Sequence, residues 1–251
     1  MKKLLCLALF SVMSLITNAE VLFDGNTAGA WDSSKITAGE GFLTATAGYL
    51  PIRAKEFIQV PRGKKYTISG EFRIVNPAKP VSVYFGVTPY TADGKEIPFV
   101  AVFTVSRATA TLAKEIKAGD KVMILKDAEN WKFHHHCRFA MNAKADRSDL
   151  PNLDIAPNPI INEITVNDDN TVEIPFKKAF TKDYPAGTVV RQHMGGNSFI
   201  YAGNGNKSNE WMSFSKTFSS FYTGTAQIKV TFNVTGPKVQ VELRNVKVTA
   251  E

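Results

Sequence analysis

The residues best suited to chemistry in this chain are aromatic rings set beside turns: Trp31, Tyr90, Trp131, Tyr201 and Trp211. The apolar C–H face of a pyranose stacks on such a ring while Asn, Asp and Arg bond its hydroxyls, so the chemistry on offer is sugar binding, provided the rings stand outside the core. Large aromatics are also mostly buried, and a ring beside a turn can equally plug the end of a β-sandwich. The types and spacings alone leave both roles open at each position. Trp211, followed by Met212, Phe214 and Phe218, is the one expected to be structural. Tyr201 opens the loop Ala202-Gly203-Asn204-Gly205-Asn206-Lys207-Ser208-Asn209, which joins a ring to flexible amide donors. This loop suits one wall of a glycan site, or a solvated connection. The candidate glycan-binding residues are Trp31, Tyr90, Trp131, Tyr201, Asn204 and Asn206.

Other constellations offer less. His134-His135-His136-Cys137, with His193, invites a zinc site, but neighbouring residues on a strand point to opposite faces and no four-ligand spacing is present. Asp146, Asp149, Asn152 and Asp154 supply oxygens on one loop, in a spacing that matches no EF-hand. No metal site is expected. No Gly-x-Ser-x-Gly elbow, phosphate loop or dinucleotide fingerprint occurs. A glycosidase needs two carboxylates about 5 to 10 Å apart; Glu56 and Glu71 are available, yet Glu71 falls on the polar phase of a strand. A lyase base at His193 near Arg191 stays open. No catalytic residue is assigned.

Composition bounds the setting. Lys2 and Lys3, the apolar run Leu4 to Ile16 and the small-residue site Thr17-Asn18-Ala19 have the order of a secretory leader over residues 1–19, rather than a retained anchor. No later apolar run has membrane length. The chain is therefore expected to be secreted or periplasmic. With Cys6 in the leader, Cys137 stands alone and no intramolecular disulfide can form. About 230 residues can bury a core without such staples. Setting aside Lys2 and Lys3, the 30 Lys and Arg become 28 against 23 Asp and Glu, a formal charge of +5. That balance suits an anionic glycan or a plain solvated surface, and the basic runs are no longer than pairs. No nucleic-acid partner is expected.

The elements that must position these residues are strands. Tyr66, Ile68, Phe72 and Ile74 alternate with Thr67, Ser69, Glu71 and Arg73, the period of a strand with one dry face. Gly70 interrupts that face, the mark of a bulge or of close approach by a facing sheet. Pro61-Arg62-Gly63-Lys64 turns just before it. Val81, Val83, Phe85 and Val87 alternate next, and Asp93-Gly94 turns ahead of the apolar run Phe99 to Val105. From residue 113 to 204 the texture shifts to short strands with close turns, among them a hairpin from Val166 to Phe176, a compact module of roughly 90 residues. From Trp211 the first texture resumes. Ile228, Val230, Phe232 and Val234 alternate, then Val239, Val241 and Leu243, with a slip at Asn245-Val246 that fits a bulge in a closing hairpin. No helical periodicity appears. The expected fold is all-β: a jelly-roll β-sandwich of residues 20–112 and 205–251, with a small β-barrel-like module inserted at 113–204.

Gly63-Lys64-Lys65-Tyr66-Thr67-Ile68-Ser69-Gly70-Glu71, Trp211 ahead of a strand, and the ending Val241-Glu242-Leu243-Arg244-Asn245-Val246-Lys247-Val248 resemble the jelly-roll carbohydrate-binding modules of secreted bacterial polysaccharide-degrading systems. The wider galactose-binding-like sandwiches are similar too. The resemblance implies a polysaccharide or cell-surface glycan partner and, in such modules, a structural calcium held by an aspartate of the last strand. Arg244 stands at that position, and a guanidinium cannot ligate calcium, so no cofactor is expected. Three functions follow: a secreted, non-catalytic carbohydrate-binding or surface-associated protein; a polysaccharide lyase or glycoside hydrolase with its site at the module junction; or a structural or adhesive exoprotein.

Overall fold

In a computed structural model, the structure describes residues 19–32, 36–47, 51–129, 131–197, 199–207, 209–236 and 239–251. Residues 1–18 of the expected leader lie outside these, as do Gly48, Pro237 and Lys238 of two expected turns. The first part forms β1 (Glu20–Asp24), β2 (Ile36–Ala38), β3 (Leu43–Ala47), β4 (Pro51–Arg53), β5 (Ile58–Gln59), β6 (Tyr66–Val75) and β7 (Ser82–Tyr90). The middle forms β8 (Thr104–Leu112), β9 (Val122–Lys126), β10 (Cys137–Met141), β11 (Thr165–Val166), β12 (Val172–Pro175) and β13 (Val189–Met194). The last part forms β14 (Ile200–Gly205), β15 (Met212–Phe218), β16 (Gln227–Thr235) and β17 (Val239–Ala250). Among the described residues, helix is limited to three short 3-10 turns, and none is long and apolar enough to cross a membrane.

Early and late strands share both sheets of a sandwich. One sheet runs β15-β6-β17-β3-β2 with β1 on β17; the other runs β14-β7-β16-β4 with β5 on β16. All their pairings are antiparallel. The alternation in β6 buries Tyr66, Ile68, Phe72 and Ile74 as expected. Phe72 meets Phe85 of the opposite sheet at 5.6 Å between ring centroids, and Phe85 meets Phe214 at 4.2 Å, so one apolar interior joins the two sheets. Gly70 is a close approach, but within its own sheet: a Cβ there would sit 2.8 Å from Phe214 Cζ and 2.9 Å from Val246 Cα. Beside it, the slip expected at Asn245-Val246 is a bulge in β17, with Asn245 at φ 54°.

The third sheet, β10-β13-β8-β9-β12-β11, belongs to the middle of the chain and has its own core, including Met123, Leu125, Phe139, Ile174 and Phe176. Segment 154–160 hydrogen-bonds to β10 at one end and to the chain around Pro175 and Phe176 at the other, which curls the sheet toward closure.

Three expectations are corrected. β16 and β17 form no hairpin: they lie in opposite sheets, because both faces of the core need a strand and the alternation of each satisfies only its own sheet. Residues 104–112, placed by sequence in the sandwich, form β8 of the third sheet. Residues 200–204, placed in the module, belong to β14 and pair with β7. The run Phe99 to Val105 carries no period that could have marked the first crossing.

Candidate functional site

The six candidate residues separate into three groups. Trp31 is 3% exposed; its indole Nε1 donates to Gly25 O at 2.9 Å, and its ring meets Phe23 and Phe232 at 5.6 and 5.8 Å. Tyr90 is 7% exposed against Phe57, covered where the chain turns back to pair Glu96 with it, and burial raises its phenol pKa. Both rings are buried, which corrects their assignment as sugar-binding rings: each reversal closes over its own ring, and that of Trp31 also takes up its indole proton. Trp131 is half-buried in the third sheet, stacked on Phe139 at 6.1 Å. Tyr201 is 42% exposed, with Asn204 and Asn206 exposed nearby on and beyond the same strand. The surroundings of Trp131 and Tyr201 have no residue in common.

Tyr201 is held out by the way β14 joins β7. The register shifts between Tyr201 and Gly203, and Gly86 lies opposite Tyr201. A Cβ on Gly86 would fall 2.0 Å from Ile200 O, so only glycine lets the two backbones come this close. The Tyr201 ring then rests on buried Phe199 at 4.4 Å and meets Tyr84 edge-on at 5.6 Å, while the Asn197 side-chain amide donates to its hydroxyl. Tyr84 is half-buried and sits directly opposite Asn204.

A second set of rings continues the surface at the junction of sandwich and third sheet. The 3-10 turn Phe99–Ala101 stacks Phe99 on Phe103 at 3.7 Å, nearly parallel, and Tyr222 meets Phe103 edge-on at 5.4 Å. Tyr222 is also near enough to Tyr201 for that phenol to help burial raise its pKa. Phe103 is 42% exposed and Met194 39%. Tyr84 meets Tyr201 and Tyr222 meets Phe103, with Tyr222 near Tyr201, so half-buried Tyr222 joins the two exposed rings and Tyr84 lies at the Tyr201 end.

What fixes this face is buried and polar. Met194 N donates to Phe103 O at 2.9 Å, Asn152 N to Ala101 O at 2.9 Å, and His193 Nδ1 meets Val100 O at 2.6 Å. Arg191 Nε donates to His193 Nε2 at 3.0 Å, and an arginine can only donate, so Nε2 is the acceptor and Nδ1 carries the proton. The imidazole is neutral, and burial lowers its pKa, with Arg191 acting in the same direction. The guanidinium of Arg191 in turn grips Asp149 at 2.5 and 3.2 Å. Burial pushes the Asp149 carboxyl up, but Arg191 and Asn152 together hold it below the usual range. His193 and Arg191, raised as a possible lyase base and its neighbour, are a buried brace instead: His193 is 0% exposed.

The remaining sequence candidates also spend their groups internally. Asp154 accepts from the Tyr184 hydroxyl, Asn142 and Lys182, and Asn152 donates to Met141 O and Asp149. Among the described residues, no three His, Cys, Asp or Glu side chains are grouped to hold a metal ion. Buried Cys137 has its thiol pKa raised by burial and meets the His134 N–H and the Gln192 amide. Arg244, at the position where the resembled modules carry a calcium aspartate, ion-pairs with Glu71 at 2.5 Å. The hydrogen bond from Arg244 keeps the Glu71 carboxyl below its ordinary range, which does not suit a general acid. Trp211 is not in the core either: it lies over Arg244 and Arg73, 4.0 and 4.9 Å from its ring centroid.

Comparison with protein-family models, with curated proteins and with solved structures finds no match for the chain. Of the rings on the junction face, sequence singled out Tyr201 alone. Tyr84 did leave a signal, since it is a large ring on the outward phase of Val83, Phe85 and Val87. Phe103 and Tyr222 left none.

Proposed function

We propose that this is a secreted, non-catalytic carbohydrate-binding or surface-associated β-sandwich protein, and that the aromatic face of Tyr84, Tyr201, Tyr222 and Phe103 holds a glycan chain. The observation that carries this is the pair of 42% exposed rings, Tyr201 resting on buried Phe199 and Phe103 stacked on half-buried Phe99. Rings kept rigid lose little entropy when a sugar stacks on them, and each stacked pyranose needs only amides nearby for its hydroxyls. Asn197 and Asn204 supply these beside Tyr201. The leader-like residues 1–19 favour export, and the formal charge of +5 on the remainder favours an anionic polysaccharide over a neutral one.

The test is retention on affinity gels and glycan arrays, with the same polymers assayed for released reducing or unsaturated ends. Retention without release, abolished by Tyr201→Ala and by Phe103→Ala at unchanged melting temperature, is expected. Release of sugar, or retention that survives both substitutions, overturns the proposal.

A further inference from the structure

A concavity lies in the third sheet, with no residue in common with the aromatic face. It encloses about 380 Å3 and is bounded by Val105 to Ala108, Asp127, Trp131, Lys132 and Gln192. That volume falls within the range of roughly 300–1,000 Å3 typical of small-ligand sites. Three features distinguish it from a chance hollow.

Its deepest polar group is an oriented amide. Gln192 is 1% exposed, and its Nε2 donates to Lys132 O and to Cys137 Sγ, both at 2.9 Å. Those two acceptors decide which end of the amide is nitrogen, because an oxygen would be repelled by the Lys132 carbonyl. Gln192 Oε1 takes none of the hydrogen bonds made by the described residues and is not among their buried orphaned atoms, which leaves it open to a partner in the concavity.

One wall is apolar and braced. The Trp131 indole lies on the fully buried Phe139 ring, interplanar angle 15°, so it cannot tilt away from a ligand without losing that stack.

The rim carries charges that the fold does not use. Arg53, Arg73, Arg191 and Arg244 each hold a carboxylate, whereas Arg107 here, like Arg62, Arg138 and Arg147 elsewhere, holds none among the described residues. Among the described residues Arg107, Lys132 and Asp127 have no ion-pair partner. Arg107 stands in the left-handed backbone region at φ 58°, which a long side chain seldom adopts, and Asp127 does so at φ 66°, where aspartate is common. Two free cations against one carboxylate give the mouth a positive balance.

We infer that this concavity binds a single acidic pyranose, a sugar residue carrying a carboxylate. The sugar's C–H face stacks on Trp131, a ring hydroxyl donates to Gln192 Oε1, a second donates to Asp127, and the carboxylate faces Arg107 and Lys132. The inference stands apart from the aromatic face, since the two share no residue.

The full mature protein should be titrated calorimetrically with glucuronate and galacturonate, with glucose and galactose as neutral controls and acetate as an anion control. Binding of a uronate, at least about tenfold tighter than its neutral counterpart and than acetate, is expected. Arg107→Gln should weaken it about tenfold or more, since a charged hydrogen bond is lost, while Tyr201→Ala leaves it unchanged. Arg107→Gly, which suits the left-handed backbone, serves if the glutamine variant does not fold. Absence of uronate binding up to about 10 mM, equal binding of the neutral sugar or of acetate, or binding that survives loss of Arg107 each overturns the inference. Because Tyr201→Ala disables only the aromatic face, failure of one site is distinguishable from failure of the other.

Discussion

Trp31 and Tyr201 are both large rings beside glycine-rich turns, and the molecule uses them in opposite ways. At Trp31 the turn closes over the ring. Gly25 would put a Cβ 2.9 Å from the indole, so its lack of a side chain makes room, and its carbonyl then takes the indole proton. Every polar and apolar demand of Trp31 is met inside. At Tyr201 the glycine lies on the neighbouring strand: Gly86 draws the backbone in while the ring is left standing on Phe199, with one face uncovered and its hydroxyl bonded to an exposed amide. A ring that is satisfied internally serves stability; a ring supported from one side only is available to a partner.

Substitutions can break or sharpen that contrast. The largest effect is expected for Trp31→Ala, which deletes a buried ring between Phe23 and Phe232: a loss of about 3–5 kcal/mol, read by chemical denaturation. A loss under about 1 kcal/mol would mean Trp31 is not the plug described. Next comes Gly86→Ala, where the new methyl meets Ile200 O; about 1–3 kcal/mol is expected, with loss of glycan retention because β14 carries Tyr201 away from β7.

A smaller effect belongs to the brace behind the aromatic face. His193 is neutral when folded, with its pKa lowered from 6.5, so below about pH 6.5 the unfolded chain takes up a proton that the folded one refuses. Stability is therefore lost as pH falls below that point, by up to about 1.4 kcal/mol per pH unit until the folded pKa is reached. His193→Gln should flatten the melting-temperature profile between about pH 6.5 and 5; a profile identical to that of the unaltered protein would deny His193 this role. The smallest change in stability, within about 0.5 kcal/mol, is expected for Tyr201→Ala, although the same substitution is expected to abolish retention by the aromatic face. A melting temperature that fell as far as for Trp31→Ala would place Tyr201 in the core after all.

Much of the scaffold was legible beforehand. The alternation of Tyr66, Ile68, Phe72 and Ile74, and of Ile228, Val230, Phe232 and Val234, marked both the strands and their inward faces. The slip at Asn245 marked a bulge. Less was legible where strands change sheet. The turn after β16 looks the same in sequence whether it makes a hairpin or carries the chain across the core, since either path keeps the apolar phase inside. The candidate site was legible in Tyr201, Asn204 and the outward Tyr84, but not in Phe103, whose apolar run has no period, nor in Tyr222.

What the residues determined by themselves is the pleat: which segments are strands, and which of their faces is dry, because a period of two is set by each backbone and its nearest neighbours. Only the tertiary structure decided which rings are covered. Trp31 is covered by its own turn, whereas the aromatic face is assembled from positions 84, 99–103, 201 and 222, and its exposure depends on how far-apart segments approach one another. Burial of a side chain is a property of everything that surrounds it, and no local spacing encodes that.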